Sequence, residues 1–251
     1  MKITSSFIQN FKKIFKNIGS YIFPPQCPYC DKIIDDQQIL CDDCFSRIRF
    51  ITGNKCYRCG RPLPQSFPND DGKLLCPKCM SKRPPYDLVR SVFIYDSFSR
   101  EAILKLKYAH RSDLRHFFVN YMMRAGVDLF DKSDLIMPVP MYWKRRVKRK
   151  YNQATVLAEL LSKHTKIPHS ATNLCRIRHT QTQTRKSAKD RHKNMKNVFV
   201  LKNPEQVQGK SILLIDDVVT TGATVTGCAK ILKKHGAKAV YVLTIAQSIN
   251  E

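Results

Sequence analysis

No run of about 18 apolar residues occurs in the 251-residue sequence, so no segment is predicted to cross a membrane as a helix. The first residues do not read as a signal peptide either, because Lys12, Lys13 and Lys16 interrupt their one apolar region. The expectation is a protein that stays on the cytoplasmic side. Acidic residues are scarce: 20 Asp and Glu stand against 44 Lys and Arg, a formal net charge of +24. Such an excess says nothing about fold but argues for a polyanionic partner, either nucleic acid or an anionic membrane surface. There is no internal repeat beyond paired cysteines, no evident helix-turn-helix and no recognisable nucleobase pocket.

Ten cysteines are present, and eight fall into Cys-x-x-Cys pairs: Cys27/Cys30, Cys41/Cys44, Cys56/Cys59 and Cys76/Cys79. A reducing cytosol disfavours structural disulfides, and paired thiolates on short turns are the usual tetrahedral zinc arrangement. One pair alone would suit a redox motif equally well; four pairs between residues 27 and 79 point to zinc, with an iron–sulfur cluster as the competitor. Ten residues separate the first two pairs and sixteen the last two, which resembles two consecutive zinc ribbons. On that partition Cys27, Cys30, Cys41 and Cys44 hold one ion and Cys56, Cys59, Cys76 and Cys79 a second, although spacing also permits an interleaved set. Gly60 suits the tight turn of a metal knuckle. Cys175 and Cys228 are isolated and read as small buried hydrophobes.

The most informative stretch runs from Ile212 to Thr224. Ile212-Leu213-Leu214-Ile215 reads as a buried strand, with Asp216 and Asp217 where it would leave the sheet. Thr220-Thr221-Gly222-Ala223-Thr224 then leads into a helix that Gly236 ends. Ligands of open α/β sheets bind beyond the carboxyl ends of the strands, and a small-residue loop feeding a helix offers N–H donors to an anion. The acidic pair suits the cis hydroxyls of a ribose, so the reading is a sugar-phosphate site. The bland alternative is a strand–turn–helix unit whose carboxylates merely cap and solvate a loop.

Elsewhere, Phe7, Ile8, Phe11, Ile14, Phe15 and Ile18 form an apolar stripe at helical spacing. It either docks on the rest of the protein or lies on an anionic membrane surface. Three regions are expected: an amphipathic amino-terminal helix over 1–23, a zinc module over 24–84, and an α/β domain over 85–251 entered through a hinge at Pro84-Pro85. In that domain, strands are expected at 88–95, 134–140, 197–201, 211–216 and 238–246. Helices are expected at 98–108, 114–127, 151–164 (with Val156, Leu157, Leu160 and Leu161 inward) and after Gly222. Such alternation predicts a mainly parallel, doubly wound sheet.

Two segments concentrate the charge. Residues 144–150 carry Lys144, Arg145, Arg146, Lys148, Arg149 and Lys150. Residues 176–196 carry Arg176, Arg178, Arg185, Arg191 and four lysines against Asp190, and the two segments together hold a net +13, more than half the formal total. They are candidate phosphate contacts, with Tyr142, Trp143 and Tyr151 placed either to stack on unpaired bases or to pack in the core. Mobile basic loops without a dedicated partner are the plain alternative.

The stretch from Asp216 to Thr224 resembles the phosphoribosyl-diphosphate (PRPP) motif of type I phosphoribosyltransferases. Further residues narrow this. Pro138-Val139-Pro140 followed by a basic run and Tyr151-Asn152-Gln153-Ala154, then Arg176-x-Arg178-x-Thr180-x-x-Gln183 with Arg191, Asn194 and Val198-Phe199, are similar to the signatures of the ComF family of competence proteins. Those proteins join a zinc-finger segment to a phosphoribosyltransferase domain. Lys150-Tyr151 departs from the family's usual Arg-Gly-Phe, and Thr184 stands where an apolar residue is common. The resemblance implies that Pro138, Val139, Pro140 and Met141 meet the pyrophosphate, Asp216 and Asp217 grip ribose as the catalytic pair, and Thr220 to Thr224 take the 5′-phosphate. Segment 176–196 would cover the site. Mg²⁺ would be held by PRPP and water.

The function implied is natural transformation, handling incoming single-stranded DNA, with the DNA-uptake machinery (a helicase or membrane channel) as partner and at most peripheral contact with the inner membrane face. Two alternatives stay open. One is an active phosphoribosyltransferase of nucleotide salvage or DNA chemistry. The other is a zinc-containing regulator with PRPP as its effector.

Overall fold

The computed structural model describes residues 24–35, 38–66, 73–108, 112–141, 152–177 and 198–249. The stripe of residues 1–23, the basic run 144–150 with its neighbouring aromatics, and all of the second basic segment beyond Ile177 lie outside them. The chain divides into two compact units, Met1–Ile48 and Arg49–Glu251. The division falls between the two groups of cysteines, so the second group belongs to the same unit as the α/β sheet. Among the described residues no helix is long and apolar enough to cross a membrane.

The first unit closes around Cys27, Cys30, Cys41 and Cys44, with a short helix α1 (Asp42–Arg47) following Cys41. In the second unit α2 (Pro77–Ser81) follows Cys76 in the same way, with Pro77 in its first turn. Proline is tolerated there because the first N–H groups of a helix have no internal partner. The α/β part continues as β1 (Leu88–Ile94), α3 (Ser97–Tyr108), α4 (Ser112–Ala125), α5 (Val127–Phe130), β2 (Leu135–Pro138) and α6 (Gln153–Thr165). Then follow β3 (Leu174–Arg176), β4 (Phe199–Leu201), β5 (Ser211–Val219), α7 (Ala223–Lys234) and β6 (Ala239–Gln247).

Four strands form one parallel sheet in the order β1-β6-β5-β2. Its central strands read as continuous apolar runs because both faces are covered; Ile212 to Ile215 and Leu243 are fully buried. Val225, Cys228, Ala229 and Leu232 of α7 join Ile212, Leu214, Val240 and Val242 in one core cluster. A second packing centre gathers aromatics, with Phe93 of β1 5.2 Å from Phe50 and 6.1 Å from Phe118 between ring centroids.

Both sheet edges are occupied. Along β2, Ile136 donates to Pro168 O at 2.9 Å and accepts from Ser170 N at 2.9 Å. Along β1, Val89 N donates to Arg58 O (2.7 Å), Ile51 N to Val92 O (2.9 Å) and Ile94 N to Arg49 O (2.8 Å). The segment that carries the second cysteine group therefore completes the hydrogen bonding of an edge strand that would otherwise offer a template for aggregation.

Three details depart from expectation. Strand β5 runs on to Val219 rather than ending at Asp216. In α6 the buried apolar positions are Ala154, Leu157, Ala158 and Leu161, beside buried Gln153, whereas Val156 and Leu160 are half-buried. The helix thus turns its i, i+3, i+4, i+7 face inward, with alanines where close approach is needed. The short strand β3 was not legible, since three residues show no alternation. It pairs antiparallel with β4, and buried Asn173 locks the base of the ribbon by accepting from Asn203 N (2.8 Å) and donating to Asn203 O (2.9 Å).

Candidate sugar-phosphate site and metal centres

The acidic pair is positioned by a change of neighbours along β5. Up to Ile215 the strand lies between β2 and β6, with Ile215 opposite Pro138 and Leu243. Val139 N still donates to Ile215 O at 2.8 Å. Beyond that point Pro138 and Pro140 have no N–H to continue the ladder, and β2 turns away. Strand β6 stays paired through Asp216 opposite Thr244 and Val219 opposite Gln247. Asp216 and Asp217 are left half-buried on the flank that β2 has vacated, at the carboxyl end of the sheet. The Asp217 N–H donates to Asp216 Oδ1 at 2.9 Å, which fixes the first carboxylate against the strand.

Residues 220–222 then turn into α7. Gly222 adopts φ +74°, a left-handed conformation that a side chain would disfavour, and its carbonyl accepts from Thr226 N at 2.9 Å. It also stands at the helix N-cap, where it supplies no capping side chain. The first-turn N–H groups of this twelve-residue helix are thus left to solvent or to an anion, at the positive end of the dipole. Thr221, Gly222 and Thr224 are half-buried, Thr220 is exposed and Ala223 is buried.

On the vacated side, Pro138 and Val139 are buried and Pro140 and Met141 half-buried. Asn152 ties this loop to the next helix. Its Nδ2 donates to Val139 O (3.1 Å), while its Oδ1 accepts from Ala154 N (3.2 Å) and caps α6. Sequence reasoning placed Asn152 in a motif without giving it this task. The structure therefore brings 138–141, Asp216, Asp217 and the 220–224 turn to one end of the sheet. Of the ten candidate nucleic-acid residues only Arg176 is described, at the end of β3 with its guanidinium 5.8 Å from the Phe199 ring centroid. Lys144, Arg145, Arg146, Lys148, Arg149, Lys150, Arg178, Arg185 and Arg191 lie outside the described residues.

Cys228, on the buried side of α7, has its thiol pushed well up, first by burial and then by the negative charge of Asp216, with Arg176 acting in the opposite sense. It is the small core residue expected. Cys175 is not: it is half-buried on the β3–β4 ribbon, with Sγ 3.2 Å from Thr172 O.

The eight paired cysteines form two groups, Cys27/Cys30/Cys41/Cys44 and Cys56/Cys59/Cys76/Cys79, with the sulfurs of each group within 4.8 Å of one another. The sequential partition is the one the fold adopts. Tetrahedral zinc with Zn–S bonds of about 2.3 Å requires sulfurs about 3.8 Å apart. Cys30 Sγ and Cys41 Sγ are 3.6 Å apart, and Cys59 Sγ and Cys76 Sγ 3.7 Å. In the second group the Cys56 thiol is held down to about 4, chiefly by its hydrogen bond with Cys59, while burial pushes Cys79 up to about 12. Four thiolates gathered in a buried site need a cation to offset their charge, and a dication binding there would displace protons. Tyr86 packs on this group, its hydroxyl raised by burial and by the neighbouring thiolates.

The second group is also tied into the sheet. Arg90, on β1 and buried, donates from Nη1 to Tyr57 O (2.9 Å) and from Nη2 to Asp128 Oδ2 (2.7 Å). Gln247 Nε2, on β6, donates to Cys59 O at 3.0 Å. At Gly60, with φ +69°, a Cβ would stand 2.5 Å from Val89 O.

A parallel sheet with an acidic pair and a small-residue turn at its carboxyl end, preceded by Cys₄ knuckles, defines a phosphoribosyltransferase-like α/β protein with an amino-terminal zinc-ribbon module. The comparisons with known proteins agree. A double zinc ribbon domain matches residues 18–80 and a phosphoribosyl transferase domain matches residues 153–249. The DNA utilization protein YhgH of Escherichia coli K12 is 31% identical over 215 residues, 84% of this chain and 91% of that protein. Competence protein F of Haemophilus influenzae is 29% identical over 215 residues (83% and 90%), and competence protein ComFC of Bacillus subtilis 29% over 224 residues (86% and 87%). The chain belongs to the ComF family, and its two Cys₄ groups are the zinc sites of the double ribbon, one ion each.

Proposed function

We propose that this protein acts in natural transformation, handling incoming single-stranded DNA through basic segments beside a PRPP-type pocket. Asp216 and Asp217 would hold the ribose hydroxyls, the 220–224 turn and the uncapped start of α7 the 5′-phosphate, and residues 138–141 the pyrophosphate. Mg²⁺, if bound, would be carried by the PRPP oxygens and water. The relatives called DNA utilization and competence proteins support the role.

The observation that carries the reading is where the basic segments are anchored. Residues 142–151 lie in sequence between Met141 and Asn152, and Asn152 is itself bonded to Val139 beside the acidic pair. Ile177 and Val198, the residues on either side of 178–197, meet at the end of the β3–β4 ribbon, where Ile177 N donates to Val198 O (2.9 Å). Both cationic runs therefore start and finish on elements tied to the pocket's unit. The partners this implies are single-stranded DNA and the uptake machinery that delivers it, a helicase or channel, on the cytoplasmic side of the membrane.

Fluorescence anisotropy of a labelled single strand across a salt series tests the proposal, with wild type compared to Asp216→Asn/Asp217→Asn, each with and without Mg²⁺–PRPP. Affinity should fall steeply with salt, and PRPP should change it in wild type alone. Absence of binding even at low salt would overturn the DNA role. Pyrophosphate released from Mg²⁺–PRPP by wild type in the presence of DNA or a base would convert the pocket from a ligand site to a transferase site.

A further inference from the structure

The two zinc ribbons carry opposite charge. Residues 24–48, around the first ion, hold five Asp against Lys32 and Arg47. Residues 49–83, around the second, hold eight Lys and Arg against two Asp, and both of those, Asp70 and Asp71, lie outside the described residues. With zinc and four thiolates adding about −2 to each ribbon, the first is strongly anionic and the second remains cationic.

We infer that the second zinc ribbon is a phosphate-binding platform for single-stranded nucleic acid, and that the first is not. This rests on the DNA reading above and adds to it a surface built from residues outside the pocket loops. The fold concentrates the cations. The knuckles 56–59 and 76–79 bring four sulfurs within 4.8 Å, and Tyr57 N donates to Leu74 O (2.7 Å) to join the two halves. Lys55, Arg58, Arg61, Lys78, Lys82 and Arg83, each within four residues of a ligand cysteine, thereby converge around one ion.

One side of the knuckle is already used. The carbonyls of Tyr57, Arg58 and Cys59 accept from Arg90, Val89 and Gln247, and Gly60 lies against Val89 with no room for a Cβ. The sheet-facing side of the knuckle backbone is therefore filled. Lys78, Lys82 and Arg83 are exposed, and Lys55, Arg58 and Arg61 are half-exposed.

Two features favour a nucleic acid strand over a lipid surface. Three of the six cations are arginines, whose planar fork matches phosphate oxygens in pairs. Met80, 71% exposed between Lys78 and Lys82, offers soft contact area for unpaired bases. A cation platform on a metal-braced turn also loses little backbone freedom on binding.

The test compares single-strand binding of the full zinc-loaded chain with Lys78→Gln/Lys82→Gln/Arg83→Gln, and with the first-ribbon control Lys32→Gln/Arg47→Gln. The slope of log affinity against log salt should become shallower by about 2 in the triple variant, at about 0.7 for each phosphate no longer neutralised, with affinity roughly 10- to 100-fold weaker near 0.1 M salt. The control should match wild type. Two zinc ions per chain and an unchanged thermal transition certify the fold. Should the triple variant lose zinc, the single changes Lys78→Gln and Lys82→Gln should each lower the slope by about 0.7.

An unchanged slope in a folded variant, while neutralising Lys144, Arg145 and Arg146 weakens binding, would overturn this inference and leave the DNA role standing. If wild type binds no strand, both fall. If the triple variant keeps its DNA affinity but no longer sediments with phosphatidylglycerol-containing vesicles, the platform belongs to a membrane surface and the inference is wrong.

Discussion

In the first zinc knuckle Asp31 follows Cys30 with a left-handed backbone at φ 63°, and in the second Gly60 follows Cys59 at φ 69°. The turns are otherwise alike: Asp31 N donates to Cys27 O and Gly60 N to Cys56 O, both at 2.9 Å, while Cys27 N and Cys56 N reach Lys32 O and Arg61 O at 2.8 Å. Metal chemistry thus prescribes the same loop twice. What differs is the surrounding. Asp31 is exposed and Cys30 is an exposed ligand, whereas Cys56, Cys59, Cys76 and Cys79 are all buried and their knuckle caps the edge of β1. One ribbon folds around its ion; the other also finishes a sheet.

The largest effect should come from removing an ion. Cys56→Ser is expected to cost the 49–251 unit roughly 5 kcal/mol or more, since Cys₄ zinc contributes directly to folding, a fall of about 10–20 °C in Tm. Cys27→Ser should release one zinc and leave that transition within about 2 °C. Calorimetry with zinc quantified per chain reads both, and equal losses would break the comparison.

Next comes the residue after the knuckle. Gly60→Ala forces a Cβ against Val89 O in a left-handed conformation and should cost about 3 kcal/mol. Asp31→Gly removes a side chain from the same conformation in an exposed turn and should change stability by less than about 1 kcal/mol in denaturant melts.

A smaller, kinetic difference is expected on metal removal. A chromogenic chelator should take zinc in two steps, the exposed Cys30 centre several-fold faster. Acid should act in the same order: zinc binding needs thiolates, and protons reach the exposed Cys30 more readily than the four buried ligands of the second group, so the first ion should leave earlier in a descending titration. Simultaneous release would show that the two centres are equivalent.

The smallest effect belongs to Lys32 and Asp43, an exposed pair 3.3 Å apart on the first ribbon. Asp43 raises the Lys32 ammonium, but solvent screens the pair. Lys32→Ala should produce no measurable shift in Tm, in contrast to loss of the Arg90–Asp128 pair of the second unit, whose arginine is buried.

Much of this was legible in residue order. Cys-x-x-Cys spacing marks all eight ligands, and the Ile212–Thr224 pattern marks strand, acidic pair, turn and helix. Strand β3 escaped because three residues carry no period. The inward face of α6 differs from the expected one because Ala154 and Ala158, small enough for close approach, take positions that size alone would give to Val156 and Leu160. The acidic pair was expected to end its strand; instead β5 continues to Val219 because β6 keeps pairing where Pro138 and Pro140 stop β2.

The sequence by itself determined the chemistry: which thiolates can bind metal, which carboxylates and small residues can meet a sugar phosphate, and where positive charge accumulates. Those properties depend on residue type and on neighbours a few positions away. Only the tertiary structure decided which zinc ribbon braces the sheet and which flank of β5 stays open. An edge strand takes its partner, and Gly60 its steric limit, from residues about 30 to 45 positions distant, and no local pattern records that distance.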